Sequence, residues 1–257
     1  MKLKFFLMLA GLLLLFTAQA QQKNNTDRIE TAKGPITIQP VLHGTVALTW
    51  GGKTIYVDPY GGAAAFKGIA PPDLILITDI HGDHLDLKTL EALKTDKATL
   101  VVPQAVAEQL PASYKNRIVV LHNGQKTEQL GIDISAIPMY NLPETEDSRH
   151  TKGRGNGYLL QFADKTVYLS GDTEDIPEMR ALRDIDVAFV CMNLPYTMDI
   201  DQAASAVLEF KPAIVYPYHY RGQDGLSDVE AFKRKVNEGN QNIEVRLRNW
   251  YPENAKK

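Results

Sequence analysis

Cysteine is almost absent from this chain: Cys191 is the only one among 257 residues. No intrachain disulfide can form, so the fold must be stabilised by its hydrophobic core. Cys191 ends an apolar run over residues 187–190. We therefore predict a buried core side chain at this position rather than a nucleophile.

An excess of positive charge is also missing. The chain has 28 lysine and arginine residues against 31 aspartate and glutamate residues, a formal net charge of −3. Proteins that bind phosphate backbones present a basic face, so this balance argues against nucleic acid as a partner. We expect a small-molecule substrate instead, and the oligomeric state stays open.

Long apolar runs are lacking except near the first residue. Lys2 and Lys4 precede an apolar stretch over residues 5–16, and residues 18–20 (Ala-Gln-Ala) match a small-x-small cleavage site. The stretch is short for a bilayer span. We predict a signal peptide over residues 1–20 and an exported protein, periplasmic or secreted, with a retained N-terminal anchor as the alternative. Cleavage would leave 237 residues with a net charge of −5 and no stable membrane span.

The remaining chain has the length of one large domain. We predict a polar leader over residues 21–34, a single domain over 35–250 and a C-terminal tail over 251–257. Hairpin-like strands come first and strands then alternate with helices, in two halves, which predicts an α/β architecture with sheets inside and helices outside. The predicted strands are 36–39, 46–50, 54–57, 74–77, 99–102, 118–121, 132–137, 158–162, 166–170, 187–191, 214–216 and 243–247; the predicted helices are 85–93, 106–110, 203–210 and 229–236.

Metal-binding side chains are concentrated in one hexapeptide, residues 79–84. Asp79, His81, Asp83 and His84 follow the predicted buried strand 74–77, and imidazole and carboxylate are ligands that zinc accepts. Alternate residues of an extended segment point the same way, and Gly82 allows a turn back. The hexapeptide therefore predicts a metal site, against the alternative of a solvated turn rich in Asp and His.

Two later strands end in the same manner. Asp172 follows the apolar run 167–169, and His219 follows the strand that begins at residue 214. Ligand sites tend to lie at the carboxyl ends of such strands. Either residue alone would suit an ordinary turn, but three such endings together favour one shared metal site.

These residues resemble the metallo-β-lactamase superfamily of hydrolases. Its main motif, His-x-His-x-Asp-His, is similar to residues 79–84, its bridging aspartate to Asp172 and its last histidine to His219. His43-Gly44 and the segment 55–59 resemble the branch related to the L-ascorbate-6-phosphate lactonases. The resemblance spans about residues 35–250 and implies a four-layer αββα sandwich with a metal site at one edge of the two sheets.

The resemblance also implies two metal positions, of which one is incomplete here. The second position would take Asp83, His84, Asp172 and His219. The first would keep His81 and the bridge Asp172, while Asp79 stands where the family has a histidine, and Asn141 lies where its middle histidine is expected. We expect His150 to replace that middle ligand, against the alternative of a loop residue. His43 is expected beside the site, as a hydrogen-bond donor behind the ligands or as a substrate contact, against the alternative of a structural histidine in the first hairpin.

The expected cofactor is a divalent metal, one or two ions per chain, with zinc favoured and manganese as the alternative. A bound ion lowers the pKa of its water from about 15.7 to about 7, supplying hydroxide at neutral pH. Asp83 is the expected catalytic residue, orienting that water or accepting its proton. The sequence thus predicts an exported hydrolase acting on an ester, lactone or phosphodiester bond. The competing hypothesis is a decayed hydrolase fold that only binds a metal or ligand.

The residues that bind substrate are not predicted. Lys152, Arg154 and Tyr196 lie in predicted loops that could line the cleft. Such cations would suit an anionic substrate. The alternative is that each is an ordinary solvated loop residue.

Overall fold

The computed structural model describes residues 26–252. Two seven-stranded mixed sheets face each other, and helices cover their outer faces, so the predicted αββα arrangement is confirmed. The strands are β1 (Asp27–Ile29), β2 (Ile36–Leu42), β3 (Thr45–Trp50), β4 (Lys53–Val57), β5 (Leu74–Leu76), β6 (Thr99–Val102), β7 (Ile118–Val120), β8 (Lys126–Gln129), β9 (Ile132–Met139), β10 (Gly155–Phe162), β11 (Lys165–Leu169), β12 (Val187–Cys191), β13 (Ile214–Tyr218), β14 (Arg221–Gly222), β15 (Gly225–Leu226) and β16 (Glu244–Val245). The α-helices are α1 (Leu87–Ala92), α2 (Gln104–Ala107), α3 (Pro177–Arg180), α4 (Ile200–Phe210) and α5 (Val229–Gly239), and short 3-10 helices cover Ala63–Phe66 and Ala112–Arg117.

The two sheets are built alike. In the first, strands β1 to β4 are antiparallel neighbours and β4 to β7 are parallel neighbours, in sequence order. In the second, β8 to β11 are antiparallel, and β11, β12, β13 and β16 are parallel. The parallel halves place the carboxyl ends of several strands at one edge, as crossover connections require.

Side chains of the central strands alternate between two apolar layers. In β4, Ile55 and Val57 face the core between the sheets, while Tyr56 faces the outer layer that contains Leu90 and Val106. This period-two pattern is that of a strand buried on both faces. The parallel strands are therefore held rigidly beneath the loops that follow them.

The two long helices, α4 and α5, begin with side-chain caps. The carboxylate of Asp199 accepts a hydrogen bond from the backbone N–H of Gln202, and the side-chain oxygen of Gln202 accepts from the backbone N–H of Asp199. Such a capping box satisfies backbone groups at the first turn. Asp228 caps α5 in a simpler way, through the backbone N–H of Ala231. Both helices pack on the second sheet through buried apolar residues.

The sequence does not predict strand β1, because residues 21–34 are mostly polar. Asp27–Ile29 pairs with β2, and Asp27 accepts hydrogen bonds from Tyr216 and Arg248. Long-range polar partners fix this segment, and they cannot be recognised from local sequence. The sequence also misses β8, β14 and β15, and it places α2 two residues too late, over 106–110.

The predicted signal peptide and the first part of the leader lie outside the described residues. Among residues 26–252, none of the helices has the length and apolarity needed to cross a membrane.

Candidate metal centre

The candidate ligands lie in loops that follow the carboxyl ends of strands from both sheets. Residues 79–84 follow β5 of the first sheet, while Asp172 follows β11 and His219 follows β13 of the second. His150 lies in the connection between β9 and β10. The centre therefore occupies the edge where the two sheets meet.

A tight turn gathers the ligands of the hexapeptide. The backbone N–H groups of His84 and Leu85 both donate to the carbonyl of His81, at 2.9 and 2.8 Å. Asp86 then caps α1 by accepting from the backbone of Lys88 and Thr89. The turn directs Asp79 and His81 to one side and Asp83 and His84 to the other.

One cluster contains Asp83, His84, Asp172 and His219. The Nε2 atom of His219 lies 3.3 Å from Asp83, 3.4 Å from Asp172 and 3.2 Å from Nε2 of His84. The Nε2 atom of His84 is 3.3 Å from Asp172. These are the four residues that the sequence assigns to the second metal position.

A second cluster contains Asp79, His81, His150 and the same Asp172. Oδ2 of Asp79 lies 2.5 Å from Nδ1 of His81 and 4.0 Å from Nε2 of His150. Nε2 of His150 is also 3.3 Å from Oδ2 of Asp172. The structure thus brings His150 to the place of the missing middle ligand and puts Asp172 between the two clusters.

Asn141 lies behind His150 rather than in the cluster. Its side-chain oxygen accepts from the backbone N–H of His150 at 2.8 Å and lies 3.0 Å from Nδ1 of the ring. Its amide group donates to Glu174 and to the carbonyl of Tyr196. Nδ1 of His150 must therefore carry the proton, which turns Nε2 toward the carboxylates as an acceptor.

The two clusters fit divalent ions. Nε2 of His150 and Oδ1 of Asp172 are buried atoms without a hydrogen-bond partner among the described residues. An imidazole acceptor beside carboxylate oxygens is unfavourable unless a cation lies between them. Three groups of His and Asp side chains have ligand atoms close enough to share an ion: Asp79, His81 and His150; His84, Asp172 and His219; and His43, Asp83 and His219.

The charges around His84 favour a cation in the same place. Burial lowers the pKa of His84, but the neighbouring carboxylates of Asp172 and Asp58 raise it well above its usual value. Burial likewise raises the pKa of Asp172, while His219 and His84 lower it well below the ordinary range. The buried carboxylates therefore favour positive charge at this place, supplied by a proton on His84 or by a bound cation.

Asp58 orients His84. Its Oδ2 atom accepts from Nδ1 of His84 at 2.8 Å and from the hydroxyl of Thr78 at 2.6 Å, and its Oδ1 accepts from the backbone of Thr78 at 2.7 Å. A carboxylate behind a ligand imidazole fixes the tautomer and the ring direction. In the sequence, Asp58 belongs to the family-like segment 55–59, and an Asp-Pro pair directly after a predicted strand is the signal that could have indicated its role.

His43 lies in the turn between β2 and β3 and contacts the centre through Asp83. Its Nε2 atom is 3.1 Å from Oδ2 of Asp83, and its Nδ1 is 2.7 Å from the hydroxyl of Tyr251. Burial and the nearby His219 lower the pKa of His43 to about 4, so the ring is neutral at neutral pH. Since a carboxylate only accepts, Nε2 donates to Asp83 and Nδ1 accepts from Tyr251.

Tyr251 was missed because the sequence assigns it to the C-terminal tail. Its hydroxyl accepts from the backbone N–H of Arg221, and the Arg221 guanidinium lies 4.5 Å from the centre of its ring. The neighbouring Trp250 carbonyl accepts from the backbone of His43 at 3.2 Å. Residues 250–251 therefore complete the surroundings of His43.

The loop cations have different surroundings. Arg154 contacts Asp79, at 3.3 Å from Nε to Oδ1 and 3.4 Å from Nη2 to Oδ2. Lys152 instead pairs with Glu178 at 2.9 Å, outside the two clusters. The ring of Tyr196 lies under the guanidinium of Arg149. Arg154 is thus the cation among these that touches a candidate ligand.

Residues 53–220 match the family model described as "Beta-lactamase superfamily domain". The UPF0173 metal-dependent hydrolase of Pyrococcus horikoshii is 32% identical over 196 residues, which cover 72% of this chain and 86% of the relative. The corresponding protein of Pyrococcus abyssi is also 32% identical, over 199 residues, with the same coverage of both chains.

Solved structures share the fold. A crystal structure from Parabacteroides distasonis, described as that of a metal-dependent hydrolase, has a TM-score of 0.77 and 37% identity, covering 87% of this chain and 97% of its own. Igni18 from Ignicoccus hospitalis, described as a metallo hydrolase, has a TM-score of 0.69 and 24% identity, covering 82% and 94%. The second likeness concerns the fold alone.

Proposed function

Because the chain belongs to the UPF0173 family of metal-dependent hydrolases, within the metallo-β-lactamase superfamily, we propose that it is an exported hydrolase with a two-ion centre that cleaves an ester, lactone or phosphodiester bond. The observation that carries the proposal is the pair of His and Asp clusters joined at Asp172. The family relation and the buried ligand clusters make the chain a metal-dependent enzyme.

The first position would be held by Asp79, His81 and His150, the second by Asp83, His84 and His219, with Asp172 shared. A divalent ion would lower the pKa of a coordinated water and polarise the scissile carbonyl or phosphoryl group. Zinc suits this donor set, and the three carboxylates also suit manganese. His150 supports the enzyme over a decayed binding fold, because it completes the ligand set of the first position.

Asp83 is the residue of this centre best placed to meet a substrate. Its side chain is 32% exposed, whereas those of Asp79 and Asp172 are buried. Burial raises its pKa, but contacts from His219 and His43 lower it far below the usual range, so the carboxylate stays ionised. The ionised carboxylate of Asp83 can therefore orient an attacking water by accepting its hydrogen bond, with His43 holding the carboxylate in place.

Export is supported by the charged start, the apolar stretch and the Ala-Gln-Ala site of residues 1–20. The resemblance of His43-Gly44 and residues 55–59 to the lactonase-like branch supports lactones among the candidate substrates. Lactones and phosphodiesters both have a polarisable oxygen at the bond to be cleaved, on which a bound divalent ion could act. The substrate is a small molecule in both cases.

The test is metal analysis of the mature protein purified without chelators, followed by a panel of ester, lactone and phosphodiester substrates. We expect two ions per chain and turnover of at least one class that is lost on chelation and regained with the ion. A content below about 0.2 equivalents that the ion does not restore, with no turnover, would contradict the proposal, since a ligand set of this kind binds divalent ions tightly.

A further inference from the structure

The two metal positions use the same kinds of ligand but differ in the charge behind them. Each takes two imidazoles, one carboxylate of its own and the shared Asp172. Behind Asp83 stands the imidazole of His43, with Nε2 at 3.1 Å from Oδ2. Behind Asp79 stands the guanidinium of Arg154. Within residues 26–252, neither Asp83 nor Asp172 has a lysine or arginine at ion-pair distance.

Arg154 is firmly placed for this contact. Its Nη2 atom donates to the carbonyl of Arg149 at 2.6 Å while the same group reaches Asp79. The Asp79 side chain is fully buried, and that of Arg154 is 21% exposed. An arginine stays protonated at any ordinary pH, so the positive charge at this place is permanent.

A buried carboxylate needs a positive partner, and two candidates compete for Asp79. Without an ion in the first position, Arg154 supplies that charge. With an ion bound, the guanidinium and the ion repel each other across Asp79 in a medium of low dielectric constant. The interaction that stabilises the ion-free protein thus opposes binding of the ion.

We propose that Arg154 is a positioning residue that serves as the counter-ion of Asp79 when the first position is empty, and that it makes this position bind its ion more weakly than the second. The proposal rests on the two-ion centre of the proposed function. The two ions then bind in order, at the second position first and at the first position only at higher concentration. The chain therefore passes through a one-ion state in which Asp79 remains paired with Arg154.

The test is calorimetric titration of Zn²⁺ into the metal-free protein, with Arg154→Met compared with the wild type. We expect two binding steps in the wild type, the weaker of which disappears in Asp79→Ala. In Arg154→Met the weaker step should tighten on the order of tenfold, while the stronger step keeps its affinity. Relative to the wild type, Arg154→Met should lower the Tm of thermal unfolding more in the metal-free protein than in the protein with two ions.

Two further variants separate charge from structure. Arg154→Gln keeps a hydrogen-bond donor near Asp79 but has no charge, so it should tighten the weaker step as Arg154→Met does. Arg149→Met removes a nearby charge that packs on Tyr196, and it should leave both steps unchanged. An unchanged or weakened step in both neutral Arg154 variants would overturn the proposal. A wild type that binds a single ion would instead contradict the two-ion centre, and the proposal with it.

Discussion

The Nε2 atom of His150 lies 3.3 Å from Oδ2 of Asp172, although the two residues come from separate connections of the second sheet. This contact brings an imidazole to the first metal position, where the sequence has Asn141 instead of the expected middle histidine. The backbone and side-chain oxygen of Asn141 hold the ring in place.

We expect His150→Ala to lower the metal content from two ions per chain toward one. The remaining ion would be held by Asp83, His84, Asp172 and His219, which do not contact the deleted ring except through Asp172. Elemental analysis of the purified variant measures the change. His122→Ala is the matched control, because His122 is an exposed histidine. Two ions retained in His150→Ala would show that this ring is no ligand.

Asp172→Ala and His219→Ala should differ in metal content. Asp172 touches imidazoles of both clusters, so its loss should release both ions. His219 belongs to the second position only, so His219→Ala should keep about one ion, as expected when one position stays complete. Both variants should lack activity. Cys191→Ser, a change at a buried residue outside the ligand set, should keep metal and activity.

Asp58→Asn should weaken metal binding without touching a ligand. The amide has one acceptor oxygen where the carboxylate has two, so it cannot accept from both the backbone N–H of Thr78 and Nδ1 of His84, and the negative charge behind the ring is lost. Loss of such a partner lowers metal affinity by about 10- to 100-fold. Competition with a chelator of known affinity measures it. Asp73→Asn is the control, because Asp73 also accepts from a backbone N–H, that of Thr54, and is no part of the centre. Equal affinities in the two variants would remove Asp58 from the metal centre.

Tyr251→Phe should slow the reaction while leaving the metal content at the wild-type value. The variant removes the hydroxyl that donates to Nδ1 of His43, so His43 can rotate or change tautomer and hold Asp83 less well. Loss of one hydrogen bond corresponds to roughly a three- to tenfold fall in kcat/KM. Tyr220→Phe, in ring contact with Tyr251, is the control and should keep its rate. A fall in metal content would point instead to a structural role for Tyr251.

The sequence predicts the parts of this centre that follow strands. The hexapeptide 79–84, Asp172 and His219 each come within a few residues of the end of a short apolar run, and a polar ligand at such a position is recognisable from local pattern. The central strands are predicted well for the same reason: 99–102 and 187–191 agree with β6 and β12 at both ends.

The supporting residues are not predictable in this way. Asp58 acts through a hydrogen bond to a residue 26 positions away, and the contact between His43 and Tyr251 spans 208 positions. Arg154 and Asp79 are 75 positions apart. Such partners are set by the packing of the two sheets, which local periodicity does not specify. His150 lies between these cases, since the resemblance requires a ligand nearby but only the folded loop brings it inward.

The placement of the ligands on both sheets has a mechanical consequence. The first sheet contributes residues 79–84, and the second contributes His150, Asp172 and His219. Bound ions would therefore act as cross-links between the two halves of the chain. Their binding free energy would offset part of the conformational entropy that the chain loses when folding brings the two halves together. Loss of the ions would first loosen the seam at this edge of the sandwich, while the apolar layer between the sheets still holds the opposite edge together.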